Sequence, residues 1–269
     1  MSATADIERE SLQYDAVIVG AGPAGLSCAI RLKQLKPALS VCVLEKGSAV
    51  GAHSLSGAVL EPGPLEQLLP EWSQEYTGMK VPATEDDFRI FTRQGSFRPM
   101  PAWLVKLLPH SMTYSTPFNN HGNYIVSLGQ LTAWLAAKAE SLGVEVFPGF
   151  AAAAPLYEAS GAVKGVRIGD MGLDRNGEPG PNFTPGVEIH APLTVIAEGA
   201  RGSLAKQLIA RFDLARGHCP QTFALGYKEL WQLPAGRVRP GRIEHARGGA
   251  ADPPTNAGRV LYHHDNDRV

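Results

Sequence analysis

The chain of 269 residues is short of cysteine, of charge and of long apolar runs. Its three cysteines, Cys28, Cys42 and Cys219, lie far apart and none belongs to a C-x-x-C. A structural zinc or iron–sulfur site needs about four ligands, so a self-contained one is excluded and no metal ligands are assigned. A disulfide framework is equally excluded, which makes a reducing compartment the default. Charged residues make up 19% of the chain, and 25 basic against 26 acidic residues leave a net charge of −1. That balance gives no electrostatic footprint for nucleic acid. No stretch approaches the roughly 20 apolar residues of a spanning helix, so any membrane contact is expected to be peripheral. Residues 1–11 carry Asp6, Glu8 and Glu10 against a single basic residue, Arg9. They have neither the basic start of a secretory signal nor the acid-poor composition of a transit peptide. Residues 1–12 are expected to be disordered.

What is present is enough for a sizeable core. Hydrophobic residues are 44% of the sequence, and 29 glycines and 21 prolines without a period indicate many turns. Length and composition together predict a mixed α/β protein of one to two domains.

The first strong signal lies near the N-terminus. Residues 14–19, Tyr-Asp-Ala-Val-Ile-Val, read as a strand buried on both faces. It runs straight into Gly20-Ala21-Gly22-Pro23-Ala24-Gly25. A helix follows, with Leu26, Ala29, Ile30, Leu32 and Leu35 at helical spacing, Lys33 and Lys36 in its last turn and Pro37 as its stop. Residues 40–44 form a second apolar strand that ends at Glu45, 20 residues beyond Gly25. Each part has a physical task. Gly20 permits the tight turn, Gly22 lets a pyrophosphate approach the backbone, and Gly25 lets helix and strand pack closely. The helix N-terminus offers N–H groups to phosphate, and the Glu45 carboxylate can accept from both ribose hydroxyls. A lone glycine motif is weak; here strand, glycines, helix, second strand and acid agree on a dinucleotide. The glycine- and serine-rich passage 46–62 suits a backbone path along a longer cofactor, which favours FAD over NAD.

Downstream, residues 88–92 and 96–98 look like a hairpin, and residues 101–112 form an apolar segment, read as a buried lid or a membrane-facing patch. Residues 123–127 read as a strand and 128–142 as an amphipathic helix capped by Gly143, with a further strand at 144–147. Residues 162–168 and 187–190 are expected to pair antiparallel. Residues 192–197 read as a buried strand leading into Glu198-Gly199-Ala200-Arg201-Gly202-Ser203 and a helix at 204–210. This second junction can place backbone N–H groups beside the flavin end of FAD.

These residues resemble the electron-transfer flavoprotein:ubiquinone oxidoreductase family. The likeness rests on residues 15–45, on 51–62 with His53-Ser54-Leu55-Ser56-Gly57-Ala58, and on 119–126 with His121-Gly122-Asn123-Tyr124. It continues through 142–149, 197–208 and 226–231, so it runs from about Asp15 to Glu244. The resemblance implies an α/β fold: a Rossmann-like FAD-binding domain of the glutathione-reductase/hydroxylase type, with an inserted α+β quinone or substrate domain. In that frame residues 13–72 and 124–215 form the FAD-binding domain, 73–123 an inserted subdomain, and 216–269 the incomplete start of a ubiquinone-binding domain. It also implies a peripheral membrane enzyme with FAD and one [4Fe–4S] cluster, taking electrons from reduced electron-transfer flavoprotein and giving them to ubiquinone. FAD is the redox carrier, so no acid–base residues are assigned. By resemblance Gly20, Gly22, Pro23, Ala24, Gly25, Glu45 and Lys46 contact the ADP part. Ser56, Gly57, Glu198, Gly199 and Ala200 neighbour the ring end, and Ala257 and Gly258 lie beside the quinone. A membrane-dipping segment maps near residues 52–72, through Leu55, Val59, Leu60, Leu65, Leu68, Leu69 and Trp72; ordinary core is the competing reading of these side chains.

The sequence also departs from that family. Members are about double its length, and the cysteines that ligate the cluster belong to the absent half. Between Arg247 and Val260 large apolar residues give way to small and polar ones, as in a compensated frameshift. His263 and His264 are expected to face solvent, and the chain is expected to break off at Val269 with an unpaired strand edge and poor solubility. The lack of a transit-peptide signature favours the cytoplasmic face of a bacterial inner membrane over the mitochondrial inner membrane. Two alternatives stand beside the quinone reductase. One is a non-catalytic FAD-binding fragment, which would reduce no quinone. The other is a cluster-free flavin reductase or hydroxylase of the same fold, which NAD(P)H would reduce rapidly.

Overall fold

The computed structural model describes residues 7–54, 57–92, 95–98, 119–223, 225–248, 258–265 and 267–269. In chain order the elements begin with β1 (Ser11–Gln13), β2 (Ala16–Val19), α1 (Pro23–Leu35), β3 (Val41–Glu45) and β4 (Ala58–Leu60). Next come α2 (Pro62–Leu68), α3 (Trp72–Glu75), β5 (Lys80–Pro82), β6 (Glu85–Thr92), β7 (Gly95–Phe97) and β8 (Tyr124–Val126). The helix α4 (Leu128–Ser141) leads to β9 (Glu145–Pro148), β10 (Ala152–Tyr157), β11 (Val163–Ile168), β12 (Met171–Leu173) and β13 (Pro179–Thr184). The remainder is β14 (Glu188–His190), β15 (Leu193–Ile196), α5 (Ser203–Phe212), β16 (Arg242–Gly248) and β17 (Gly258–Tyr262). They fall into two compact units, one of residues 1–54 and 129–225, the other of 55–128 and 226–269.

The first unit is built on a four-stranded parallel sheet of order β15-β2-β3-β9. Its two central strands, Ala-Val-Ile-Val and Val-Cys-Val-Leu-Glu, are buried along nearly their whole length, as continuous β-branched runs require. One face takes α1, where Gly25 lies against Ile18. On the other face Val17, Val19, Cys42 and Leu44 pack with Val166, Ile168 and Ile189 from a second, mixed sheet of order β1-β14-β11-β10. The expected antiparallel pairing is present, with Val166 opposite Ile189. Lys33 is buried and donates to the carbonyls of Pro37 at 2.7 Å and Leu39 at 2.8 Å, so it stitches the loop after α1 as well as meeting the helix dipole.

Three expectations for this unit need correction. Residues 7–12 are ordered, contrary to expectation: β1 adds in parallel to β14, and the Arg9 guanidinium pairs with Asp170 while donating to the Gly186 carbonyl at 3.0 Å. Backbone addition to a sheet edge and a buried ion pair supply the ordering that composition cannot show. The strand at 193–196 is not buried. It lies at the edge of the parallel sheet, with Leu193 45% exposed. The helix after it begins at Ser203 and runs to Phe212.

In the second unit a sheet of order β17-β16-β6-β7 and a three-stranded sheet, β4-β8-β5, enclose Val81, Ala83, Ile125 and Ile243. The hairpin expected at residues 88–98 is the β6/β7 pair. Strands β4 and β5 both pair with β8, which draws residues 55–72 and 124–128 into this unit rather than the dinucleotide-binding one. Residues 216–225 go with the first unit for their part. Trp72 is fully buried, edge-on to Tyr124 at 5.6 Å, and Leu65 is buried too. Those two are core and not lipid-facing surface. Leu55 and residues 101–112 lie outside the described residues.

His263 and His264 are buried, contrary to the solvent-facing expectation. His263 Nδ1 accepts the Arg239 N–H at 3.1 Å, and His264 Nδ1 faces Met79 Sδ at 2.6 Å. Burial holds both imidazoles below the ordinary histidine range. Val269 is paired as well, exchanging backbone bonds with Trp231 at 2.8 and 3.0 Å, so no unpaired end is left there. Both results come from contacts between segments 24 residues apart or more, which local sequence does not report.

Candidate dinucleotide site

The glycine turn sits at the carboxyl end of β2, beside the end of β15. Gly20 has φ +109°, and a Cβ there would collide with the Ala197 carbonyl. A Cβ on Gly25 would collide with the Gly20 carbonyl and press on Ile18 and Ala197. Both glycines are therefore demanded by the packing of the chain itself. Gly22 differs. It has ordinary backbone angles, φ −79° and ψ 176°, and a Cβ there would meet nothing within 4 Å. No described residue requires a glycine at this point. The open space above it is a cradle that a side chain would fill.

The two helices that follow strand–glycine junctions are capped differently. Gly22 is the N-cap of α1, with Pro23 in the first turn, no side-chain cap and no acidic residue within that turn. Its N–H groups and partial positive charge face outward from the turn, ready for an anion. At α5 the Glu198 carboxylate occupies that position. Oε1 accepts the N–H groups of Ser203 at 3.1 Å and Leu204 at 3.3 Å, and Oε2 accepts that of Ala205 at 2.9 Å. The expectation that this junction presents its helix N–H groups to the flavin end is thus corrected: three are taken by Glu198. Gly199 and Ala200 remain exposed on the turn, with Gly199 at φ +77°.

Glu45, at the end of β3, reaches back to the turn. Oε2 accepts the Ala21 N–H at 3.1 Å and Oε1 the Gly47 N–H at 2.7 Å. Two bonds fix the carboxylate, and a carboxylate has about four acceptor positions, so capacity remains for two ribose hydroxyls. His53 Nδ1 lies 3.9 Å from Oε1, on the loop that follows. Lys46 is exposed, as are Ala24 and, in part, Pro23. Gly20, Gly22, Gly25 and Glu45 are therefore brought together in one unit. Gly57 and Gly258 belong to the other unit. Gly57, at φ +78°, packs against the Tyr262 ring and accepts from Lys228 Nζ. Ser56 and Ala257 lie outside the described residues.

The sequence did not single out Ala197, Gly47 or Lys228 as partners of these sites. Ala197 could have been found from the short side chain that ends the strand before Glu198. Lys228 gave no signal, since its partner is 171 residues away. Among the described residues no group of three or more His, Cys, Asp or Glu side chains could hold a metal ion. Cys28 is half-buried, Cys42 buried and Cys219 exposed, with no shared ligand set. The residues present do not fit an iron–sulfur cluster.

A family model described as an NAD(P)-binding Rossmann-like domain matches residues 18–77. Among solved structures, a geranylgeranyl bacteriochlorophyll reductase-like protein from Thermoplasma acidophilum aligns with a TM-score of 0.56 at 17% identity, over 96% of this chain and 55% of its own. A myxobacterial FAD-dependent halogenase aligns with a TM-score of 0.55 at 16% identity, over 95% and 51%. These likenesses establish the fold. Curated relatives reach further. The probable electron transfer flavoprotein-ubiquinone oxidoreductase of Acinetobacter baylyi is 47% identical over 98% of this chain and 46% of its own length. The mitochondrial protein of that name from Homo sapiens is 46% identical over 96% and 41%, and that from Arabidopsis thaliana 45% identical over 97% and 40%. The chain is similar over nearly its whole length to the electron transfer flavoprotein-ubiquinone oxidoreductases and spans less than half of theirs.

Proposed function

We propose that this chain binds FAD and is the FAD-binding N-terminal part of an oxidoreductase that passes electrons from reduced electron-transfer flavoprotein to ubiquinone. The observation that carries the FAD reading is the contrast between Gly22 and its neighbours. Gly20 and Gly25 are required by the protein, whereas Gly22 opens onto space beside an uncapped helix N-terminus. Glu45 stands fixed next to it with acceptor positions to spare. When bound, FAD supplies the redox chemistry. The chain binds the pyrophosphate at Gly22 through Gly25 and α1, orders the ribose with Glu45, and meets the ring end with Gly199 and Ala200. Gly258 is the described residue that this reading assigns to the quinone.

The site of action in this reading is the cytoplasmic face of a bacterial inner membrane, reached by peripheral contact. No helix among the described residues is long and apolar enough to cross a membrane. Leu60, Leu68 and Leu69 stay half-buried and are the candidates for lipid contact.

The test is equilibration of the purified chain with FAD, followed by gel filtration and flavin absorbance. A stoichiometric yellow complex is expected, lost in Glu45→Ala and in Gly22→Val, with no competition from NAD. A chain that keeps no FAD sinks the reading. The second half of the proposal is checked by adding reduced electron-transfer flavoprotein and a short-chain ubiquinone to the loaded chain. The alternative to this second half is an FAD-binding part that is non-catalytic by itself. That alternative predicts FAD binding without quinone reduction.

A further inference from the structure

Helix α5 keeps a face that the first unit does not cover. One side of it lies along β10: Leu204 is fully buried, and Gln207 Nε2 donates to the Ala153 carbonyl at 3.0 Å. Its C-terminal end is apolar and open, with Ile209 40%, Phe212 44% and Leu214 55% exposed. This end is built, not frayed. Asp213 closes the helix in the left-handed region at φ 51°, and the Leu214 N–H donates back to the Ile209 carbonyl at 3.1 Å. Asp213 is itself paired with Arg216. An apolar cluster held in this way at a folded surface marks a contact site.

Its charge says what covers it. Residues 199–225 carry four basic side chains, Arg201, Lys206, Arg211 and Arg216, against the single acid Asp213, in a chain whose net charge is −1. Two of the guanidiniums are held over aromatic rings. Arg211 Cζ stands 3.9 Å from the Tyr157 ring centroid, and Arg201 Cζ stands 5.0 Å from that of Phe223. Phe212 meets the same Tyr157 ring edge-on at 6.3 Å. Stacking restricts side chains that would otherwise lose freedom on binding, and guanidinium forks match carboxylates. Arginine and aromatic groups around an apolar centre are the composition of a protein–protein hot spot. A helix resting in a lipid interface needs an apolar face along its whole length; here β10 covers that face and only one end is open. The complement is therefore an acidic protein surface with an apolar side chain at its centre.

We propose that Ile209, Phe212 and Leu214, flanked by Arg201, Arg211 and Arg216, form the docking surface for the electron-transfer flavoprotein, received through an acidic patch with an apolar centre. The choice of partner rests on the function proposed above, in which that flavoprotein is the electron donor. Arg201 follows directly on Gly199 and Ala200, the residues that this function gives to the ring end of FAD. The three apolar side chains make the water-excluding contact. The guanidiniums pair with carboxylates around it and steer the encounter, so binding is salt-sensitive.

The experiment measures binding of purified electron-transfer flavoprotein to the chain, with and without FAD, by surface plasmon resonance at low and high salt. Wild type is expected to bind, more weakly at high salt. Arg211→Glu and Leu214→Asp are each expected to weaken binding about tenfold or more, and Arg211→Glu to flatten the salt dependence as well. Lys36→Glu, the same charge change on exposed α1 surface, is expected to bind as wild type does. Ile209→Ser reads the same face if Leu214→Asp melts early. Binding that all the α5 variants keep puts the docking surface elsewhere and overturns the inference, while the donor reading stands. A wild-type chain that does not bind removes the donor reading and the inference with it. Phosphatidylglycerol vesicles and sedimentation of the chain alone are the parallel probes. Vesicle capture in place of flavoprotein binding, or a concentration-dependent dimer, lost in the same variants would give this face to lipid or to a second copy and overturn the acidic partner.

Discussion

Glu198 and Gly202 are sterically coupled: a Cβ on Gly202 would stand 2.5 Å from Glu198 Oε2, where the carboxylate turns in to accept three N–H groups of α5. The glycine exists to admit the cap. Gly202→Ala should therefore displace the carboxylate and cost about 1–2 kcal/mol, the usual range for a lost N-cap. Glu198→Gln keeps an acceptor but loses the charge that favours the helix N-terminus, and about 0.5–1 kcal/mol should go with it. Urea unfolding of the three proteins checks the order. Equal stability of Gly202→Ala and wild type would show that the cap tolerates the methyl group.

The three glycines of the first turn should separate by experiment. Gly25→Ala puts a Cβ into the Gly20 carbonyl and Gly20→Ala puts one into Ala197 at positive φ, so both should lower the melting temperature of the FAD-free chain. Gly22→Ala should leave that melting temperature unchanged and weaken FAD binding about tenfold or more, because its Cβ enters only the ligand's space. Calorimetry with and without FAD distinguishes the two classes. A Gly22→Ala chain that binds FAD at wild-type affinity would move the pyrophosphate away from this turn.

Much of this site was legible in the sequence because its determinants are local. The β2–α1–β3 unit is announced by continuous β-branched strands, helical periodicity and glycines whose spacing a tight turn enforces. Glu45 follows from strand length alone. Glu198 was read as a cofactor neighbour, yet an acid just ahead of a Gly-Ser helix start is also the signature of a carboxylate cap, and the structure has it accept three helix N–H groups. The histidines at 263 and 264 were read as exposed because they stand side by side at a strand end. Their burial is set by Met79 and by backbone bonds to Arg239 and Arg242, partners that only the folded second unit brings near. The same holds for Ser11–Gln13, whose order depends on the edge of β14.

The thiols should differ widely in reactivity. Cys42 is fully buried in β3 and its thiol is pushed up to about 12, chiefly by burial. Cys28 is half-buried, and burial raises its thiol too. Cys219 is exposed. Because the thiolate is the reacting form, iodoacetamide should label Cys219 first, Cys28 slowly and Cys42 only after unfolding. Mass spectrometry of timed samples reads the order. Early labelling of Cys42 would mean that the β2/β3 core opens at low cost.

Asp87 should make the second unit sensitive to acid. Its carboxylate is 4% exposed and accepts from Arg98, at 2.7 and 2.8 Å, from Arg89 at 3.0 Å and from Arg242 at 2.6 Å. The Arg98 hydrogen bonds, then those from Arg89, hold its carboxyl down to about 2 against the opposing effect of burial. A depressed folded-state value means that this contribution is complete above the ordinary carboxylate range, about 4, and drains away as pH falls toward about 2. Asp87→Asn leaves the buried Arg242 guanidinium short of its closest counter-charge, and breaking such a pair costs about 3–5 kcal/mol at neutral pH. Urea unfolding of wild type and Asp87→Asn at a series of pH values should give a gap that is constant near neutrality. The gap should narrow below about pH 4 and be smallest near pH 2, as the wild-type carboxylate takes up its proton. A gap that stays constant to the acid limit would assign the loss to packing and remove the charge network from the account of this unit's stability.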